Sequence, residues 1–224
     1  MTSTRTATKA ALAIILMITV AGTASDGAAA AKPAFKGSSS RLDGQTRKQM
    51  TGLSWHRGCP VPLRDLRLLK VRRWGFDGEV HPGKLVVNED SDRRILRVMK
   101  KLFEMHFAIR RMHLVDAYGA DDHRSMNADN TSAFNCRFVS GQPGVWSEHA
   151  YGRAIDLNPV ENPYVSGSYV SPPAGKPFAR RHPRRKGMVT RHGQVVEAFA
   201  EAGWGWGGNW EGTKDFQHFS ASGH

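Results

Sequence analysis

The chain is poor in cysteine, in acidic residues and in long apolar runs, and each shortage narrows what it can be. Of 224 residues two are cysteines, Cys59 and Cys136, so at most one disulfide is available and a multiply stapled framework is excluded. Asp and Glu number 20 against 32 Lys and Arg, a formal charge of +12, which points to an anionic partner: nucleic acid, a membrane surface or an anionic polymer. The extended apolar run Ala10 to Ala21 falls short of the ~20 residues of a spanning helix. Internal repeats are missing. So is any regular alternation of strands and helices, which favours an α+β domain with a mainly antiparallel central sheet flanked by helices. Metal motifs with short local spacing are absent as well.

What is present begins with an export signature. Arg5 and Lys9 precede the apolar run, and Gly22-Thr23-Ala24 offers a small-residue cleavage site, so residues 1–31 read as a signal peptide; an uncleaved anchor is the alternative. The Ser/Ala/Lys-rich stretch 32–52 reads as a flexible linker and 53–224 as the mature domain, large enough for one buried core. Export implies an oxidising destination and favours a Cys59–Cys136 bridge over two buried free thiols. It also favours an anionic cell-wall polymer as the partner of the basic charge, with no nucleic acid, no membrane span once the signal is removed, and a monomeric, secreted or wall-associated chain.

Along the domain, Leu63 to Val71 mixes helical and strand spacing, Trp74 to Gly78 is a turn and Lys84 to Asn88 is β-prone. Ser91 is placed to cap a helix reaching Ile109, with Ile95, Val98, Met99, Leu102, Phe103 and His106 on its core face. Met112 to Tyr118 reads as a strand. Residues 161–190 read as a solvated loop carrying Arg180 to Lys186, and no aromatic residues interleave with its basic run as nucleic-acid stacking requires. Gly193 to Glu201 reads as a helix stopped by Gly203. The Trp204 to Trp210 run, rich in glycine, is either an aromatic surface or core.

The chemistry concentrates in two stretches. Ser147-Glu148-His149-Ala150-Tyr151-Gly152-Arg153-Ala154-Ile155-Asp156 sends an apolar run straight into an aspartate, the pattern of a strand carrying a carboxylate into a buried site. Such a carboxylate needs a counter-charge or a metal. Near the other end lies Asp215-Phe216-Gln217-His218. Together they supply two imidazoles and two carboxylates. That suffices for one zinc ion held by His149, Asp156 and His218, with Asp215 free to take a proton from activated water. Arg137 or Arg124 would hold a substrate carboxylate or developing oxyanion. Rival groupings exist at Asp121-Asp122-His123 and at His106 with His113, and the first set could equally be a non-catalytic metal site.

The 147–156 stretch resembles the metal-binding motif of the zinc D-alanyl-D-alanine carboxypeptidase and L-alanyl-D-glutamate endopeptidase family. Trp204 to Trp210 with Lys214 to Phe219 resembles that family's second motif, and 58–61, 129–137 and 158–165 are similar to one branch of it. The resemblance implies a hedgehog/DD-peptidase-type fold, one zinc and hydrolysis of peptide bonds in peptidoglycan stems. Carried over by position, His149, Asp156 and His218 become ligands, Asp215 the base, and Arg137, with Arg124 as runner-up, the substrate-binding arginine. Ser147 and Tyr151 would orient ligands or line the cleft. The reading from another class is a wall-binding module that keeps the metal without turnover.

Overall fold

The mixed spacing of Leu66, Leu68, Leu69 and Val71 has a simple cause: both faces of their strand are buried. Leu66 and Leu68 enter one core cluster with Val86, while Leu69 and Val71 enter another with Leu85 and Val87. Period-two alternation therefore yields apolar residues on both sides, as expected of a strand covered on each face.

The computed structural model describes Met1, Thr2 and residues 32–224; apart from those first two residues, the signal expected over 1–31 lies outside the described residues. In chain order the regular elements are β1 (Gly37–Arg41), α1 (Gly44–Met50), β2 (Leu66–Trp74), β3 (Val80–Asn88), α2 (Asp92–Glu104), α3 (Asp122–Asn127), β4 (Phe138–Val139), β5 (Gln142–Trp146), β6 (Ala154–Asp156), β7 (Tyr164–Ser166), β8 (Tyr169–Ser171), α4 (Gln194–Glu201), β9 (Gly205–Trp206), β10 (Lys214–Asp215) and β11 (His218–Ser220). Every strand pairing is antiparallel. The α+β expectation holds, but the single central sheet does not. Strands assemble in the orders β1-β2-β3, β10-β7-β8 and β6-β11-β9, with β4-β5 as a separate hairpin. Around the site the strands are only two or three residues long, so the turn-rich sequence there supports several small sheets.

The core explains where the site sits. α2 and α4 close over the β2–β3 face through Ile95, Val98, Leu102, Val195 and Phe199, and the same cluster takes in Ile155 of β6, Trp204, Trp206 and Phe219 of β11. Phe199 stacks on Phe219 at 3.9 Å between centroids. The tryptophans at 204 and 206 are thus core residues. The Cys59–Cys136 disulfide is formed and joins the second cluster. Among the described residues no helix is long and apolar enough to cross a membrane.

Several expectations need correction. The linker expected over 32–52 is structured: β1 pairs with β2 from Gly37↔Val71 to Arg41↔Arg67, Asp43 caps α1 by accepting from the Thr46 amide at 2.7 Å, and Leu42 and Met50 are buried. α2 ends at Glu104 rather than Ile109; His106 is exposed at φ 54°, a backbone no helix continues through. Ser91 accepts the Ile95 amide through its carbonyl, but its hydroxyl donates to Asp90 instead of capping. Met112 to Tyr118 contains a 3₁₀ turn, Val115–Tyr118, and no strand.

Because Met50 is 1% exposed, Met50→Ala is expected to destabilise the domain by about 2–5 kcal/mol, read as a lower urea midpoint. If 32–52 were a loose linker, the midpoint would not move.

Candidate metal centre

Three short elements converge here. A 3₁₀ turn over Glu148–Tyr151 presents His149, β6 presents Asp156 and β11 presents His218. His218 stands directly opposite Asp156 in the β6–β11 register, so the two side chains share one face. The Ser147 hydroxyl accepts the His149 amide at 3.3 Å and caps the turn. Gly152 at φ 67° ends the turn, and a Cβ there would lie 2.7 Å from the Asn88 amide nitrogen. Its own carbonyl accepts that amide at 2.8 Å. Only glycine allows both the left-handed turn and the close approach to β3.

His149, Asp156 and His218 are all buried, and one ligand atom from each lies within 4.8 Å of the others. Asp156 Oδ2 is 3.1 Å from His149 Nε2 and its Oδ1 is 3.2 Å from His218 Nδ1. His149 Nδ1 donates to the Ala133 carbonyl at 2.6 Å. That bond orients the ring and, whenever the imidazole is neutral, makes Nε2 the nitrogen that carries the lone pair. Despite the short distance to Asp156, Nε2 has no aligned hydrogen-bond partner and is buried. On His218 the opposite nitrogen, Nε2, reaches the His224 backbone oxygen at 3.3 Å, leaving Nδ1 toward Asp156. Burial alone would raise the Asp156 carboxyl, but His149 and His218 override it and hold it well below the ordinary carboxylate range. Two imidazole nitrogens and one carboxylate oxygen, with an orphaned nitrogen among them, fit a zinc ion that keeps a position open.

Asp215 sits on β10, opposite Tyr164 of β7, and its Oδ1 is buried without a hydrogen-bond partner. Burial is the main reason its carboxyl is pushed up to about 6; nearby His218 opposes the shift and Asp156 adds to it. Gly207 makes this placement possible: a Cβ there would lie 2.5 Å from the Asp215 carbonyl oxygen and 3.0 Å from its Cβ. Trp206 Nε1 donates to the Phe216 carbonyl at 2.9 Å, tying the tryptophan–glycine run to the bend between β10 and β11. Trp210 lies 5.5 Å from the His218 ring.

Sequence reasoning overlooked how fully residues 129–137 build this site. Ser132 brackets Asp156 through two backbone bonds, Ala133 orients His149, and the Asn135 amide donates to the His149 carbonyl. The Thr131 hydroxyl accepts the Asn158 amide, and Asp129 accepts the Val160 amide. Asn158 and Asn162 then clamp the chain after Asp156, donating to the carbonyls of Ala108, Leu157 and Gly187. The signal was the run of small polar residues with no helical or strand period, which satisfies backbone groups that sheets leave unpaired.

The arginines separate. Arg137 is 28% exposed and pairs with Asp122 at 2.9 Å, and its carbonyl accepts the Ser147 amide, so it borders the His149 turn. Arg124 is 76% exposed, paired loosely with Asp121 at 3.5 Å. The rival metal groupings dissolve: Asp121 caps α3, Asp122 is taken by Arg137, and His106 and His113 are exposed. Tyr151 packs against the second core cluster. The remaining His56–Cys59–Cys136 cluster has both sulfurs in the disulfide.

Beneath the chain that follows Asp156 lies a second buried acidic pair. Arg110 donates to Asp129 at 2.9 Å and to Glu161 at 3.0 Å, and Glu161 Oε2 has no partner. Burial, then the facing Asp129 carboxyl, push Glu161 up to about 7, with Arg110 offsetting part of the rise.

Residues 140–221, less than half of the chain, match the model of a family described as D-alanyl-D-alanine carboxypeptidase. The match includes both stretches that carry the metal-site residues, and the resemblance read from the motifs therefore stands over them. No curated protein and no solved structure gives a match.

Two outcomes are expected. His149→Ala or Asp156→Ala loses stoichiometric zinc binding in calorimetric titration, whereas Arg124→Ala keeps it. For Glu161, the folded value near 7 lies above the ordinary 4.5, so the native state holds a proton that the unfolded chain releases. Stability falls as pH rises from about 4.5 to 7, and Glu161→Gln removes that part of the slope in urea unfolding across this range.

Proposed function

We propose that the chain is an exported zinc peptidase that hydrolyses peptide bonds of bacterial peptidoglycan stems. The family match suggests a peptidase acting on the cell wall; the observation that carries the finer reading is Asp215. Its buried, unpartnered carboxyl oxygen, near enough to His218, Asp156 and His149 to feel their charges, costs stability. A wall-binding module has no use for it, and a hydrolase does. The motif likeness also supports assigning the hedgehog/DD-peptidase-type fold to this α+β domain.

In this reading His149, Asp156 and His218 hold the zinc, which when bound would activate water and polarise the scissile carbonyl. Asp215 accepts the proton of the attacking water at its carboxyl and returns it to the departing amine, general base and then general acid. Burial, which raises this carboxyl, favours its taking up that proton. Ala133 and the Ser147 cap keep His149 in the ligating tautomer and orientation. Arg137, at the edge of the His149 turn, is the cation for a substrate carboxylate or the developing oxyanion. Burial of the three donors keeps bulk water away from the reacting groups.

Asp215→Asn is expected to retain one zinc per chain by elemental analysis and to lose about 10²–10⁴-fold in hydrolysis. The digest is purified peptidoglycan with the released ends identified by mass spectrometry. Release of terminal D-alanine would mark a carboxypeptidase and new internal ends an endopeptidase; zinc without cleavage by the unaltered chain would reject the enzyme. Arg137→Ala should raise KM, with Arg124→Ala near the unaltered value; the reverse order would move the substrate cation to α3.

A further inference from the structure

We propose that the basic segment from Lys176 to Arg191 is a docking surface for a phosphodiester polyanion attached to the cell wall. Between Glu161 and Glu197 the chain contains no acidic residue. Within that stretch Lys176, Arg180, Arg184, Arg185, Lys186 and Arg191 are exposed. None of them is in an ion pair among the described residues, as is also true of Arg57, Arg72 and Arg97 elsewhere; what sets this segment apart is the crowding of such cations with no acidic residue among them. A run of unpaired cations repels itself, and it lowers its energy when a polyanion displaces its counterions.

A merely solvated loop would not be held as this one is. Arg181, inside the basic run, is turned inward. It donates to the Glu161 carbonyl at 2.6 Å, to Asn162 Oδ1 at 2.8 Å and to the Val189 carbonyl at 2.5 Å, and its guanidinium lies 4.4 Å over the Phe216 ring. Gly187, Met188 and Val189 are buried, and both Asn158 and Asn162 donate to the Gly187 carbonyl. The neighbouring cations are therefore presented from a fixed base, which reduces the ordering cost of binding. That support reaches Phe216, the residue after Asp215.

The chemistry selects phosphate. Arginines dominate the exposed run, and a guanidinium fork matches phosphate oxygens bidentately. Nucleic acid is the less favoured phosphodiester, since single-strand binding uses aromatic platforms between the cations. Here the adjacent rings are covered instead: Arg185 lies 5.1 Å over Phe178 and Lys186 5.9 Å over Phe76. Naming the wall as the source rests on the proposed cell-wall function; the polyanion chemistry does not.

The test uses the full chain and R180Q/R184Q/R185Q/R191Q, which leaves Arg181 and its anchoring bonds intact. Binding is measured to soluble poly(glycerol phosphate), to sacculi carrying wall phosphodiester polymer, to sacculi stripped of it, and to duplex DNA at equal phosphate concentration. The proposal expects at least tenfold weaker binding to poly(glycerol phosphate) by the variant. It also expects a shallower salt dependence, loss of retention on stripped sacculi, and unchanged hydrolysis of short stem peptides. Equal binding by variant and unaltered chain would overturn it, as would equal retention on stripped sacculi or tighter binding to DNA. Failure of the peptidase reading shows separately, as no stem-peptide hydrolysis by either protein while the polymer arm still discriminates them.

Discussion

A carboxylate buried between two imidazoles governs this molecule. Asp156 lies at the end of β6 with His149 and His218 on either side, and taking its charge out of water is expensive unless positive charge returns to it. Its neighbours are arranged to that end. His218 is placed by register on β11, His149 by a capped turn that Gly152 closes, and the backbone of Asp156 is held by Ser132 on one side and β11 on the other. The hydrophobic core reaches this point directly, since Ile155 and Phe219, the residues next to Asp156 and His218, are fully buried in it. The rigidity of the donor set is therefore that of the core.

A second polar layer extends the same logic outward. Asn158, Asn162, Asp129, Glu161, Arg110 and Arg181 bind together chain segments that no sheet connects. Short strands supply few ladder bonds, so side-chain amides and guanidinium groups satisfy the carbonyls and amides left over. Arg181 gives this layer its reach, joining the 161–162 turn, Val189 and the ring beside Asp215.

The convergence of His149, Asp156 and His218 was legible chiefly through the likeness of two stretches, 147–156 and 204–219, to the motifs of a known family; local order alone, a histidine turn, a glycine and an apolar lead into aspartate, links His149 to Asp156 but not to His218, far along the chain. The α+β class was legible too, from the lack of regular alternation. The split into several small sheets was not, because two- and three-residue strands leave no period to read. β1 escaped notice for a different reason. Its Gly-Ser-Ser-Ser-Arg sequence buries almost nothing and is held by backbone bonds to β2, which leave no mark on side-chain pattern. Arg181 was misread with its basic neighbours, since charge composition is blind to a guanidinium that turns inward to carbonyls. The helix end at Glu104 was missed because His106 continues the apolar spacing while its backbone has already left the helix.

The most direct test of the buried donor set is the X-ray absorption spectrum of the chain loaded with one equivalent of zinc. Ligation by His149, Asp156 and His218 predicts a nitrogen and oxygen shell at about 2.0–2.1 Å with the outer scattering of two imidazoles, and no sulfur. A sulfur shell near ~2.3 Å, or a spectrum showing no imidazole, would place the metal away from His149, Asp156 and His218 and contradict it.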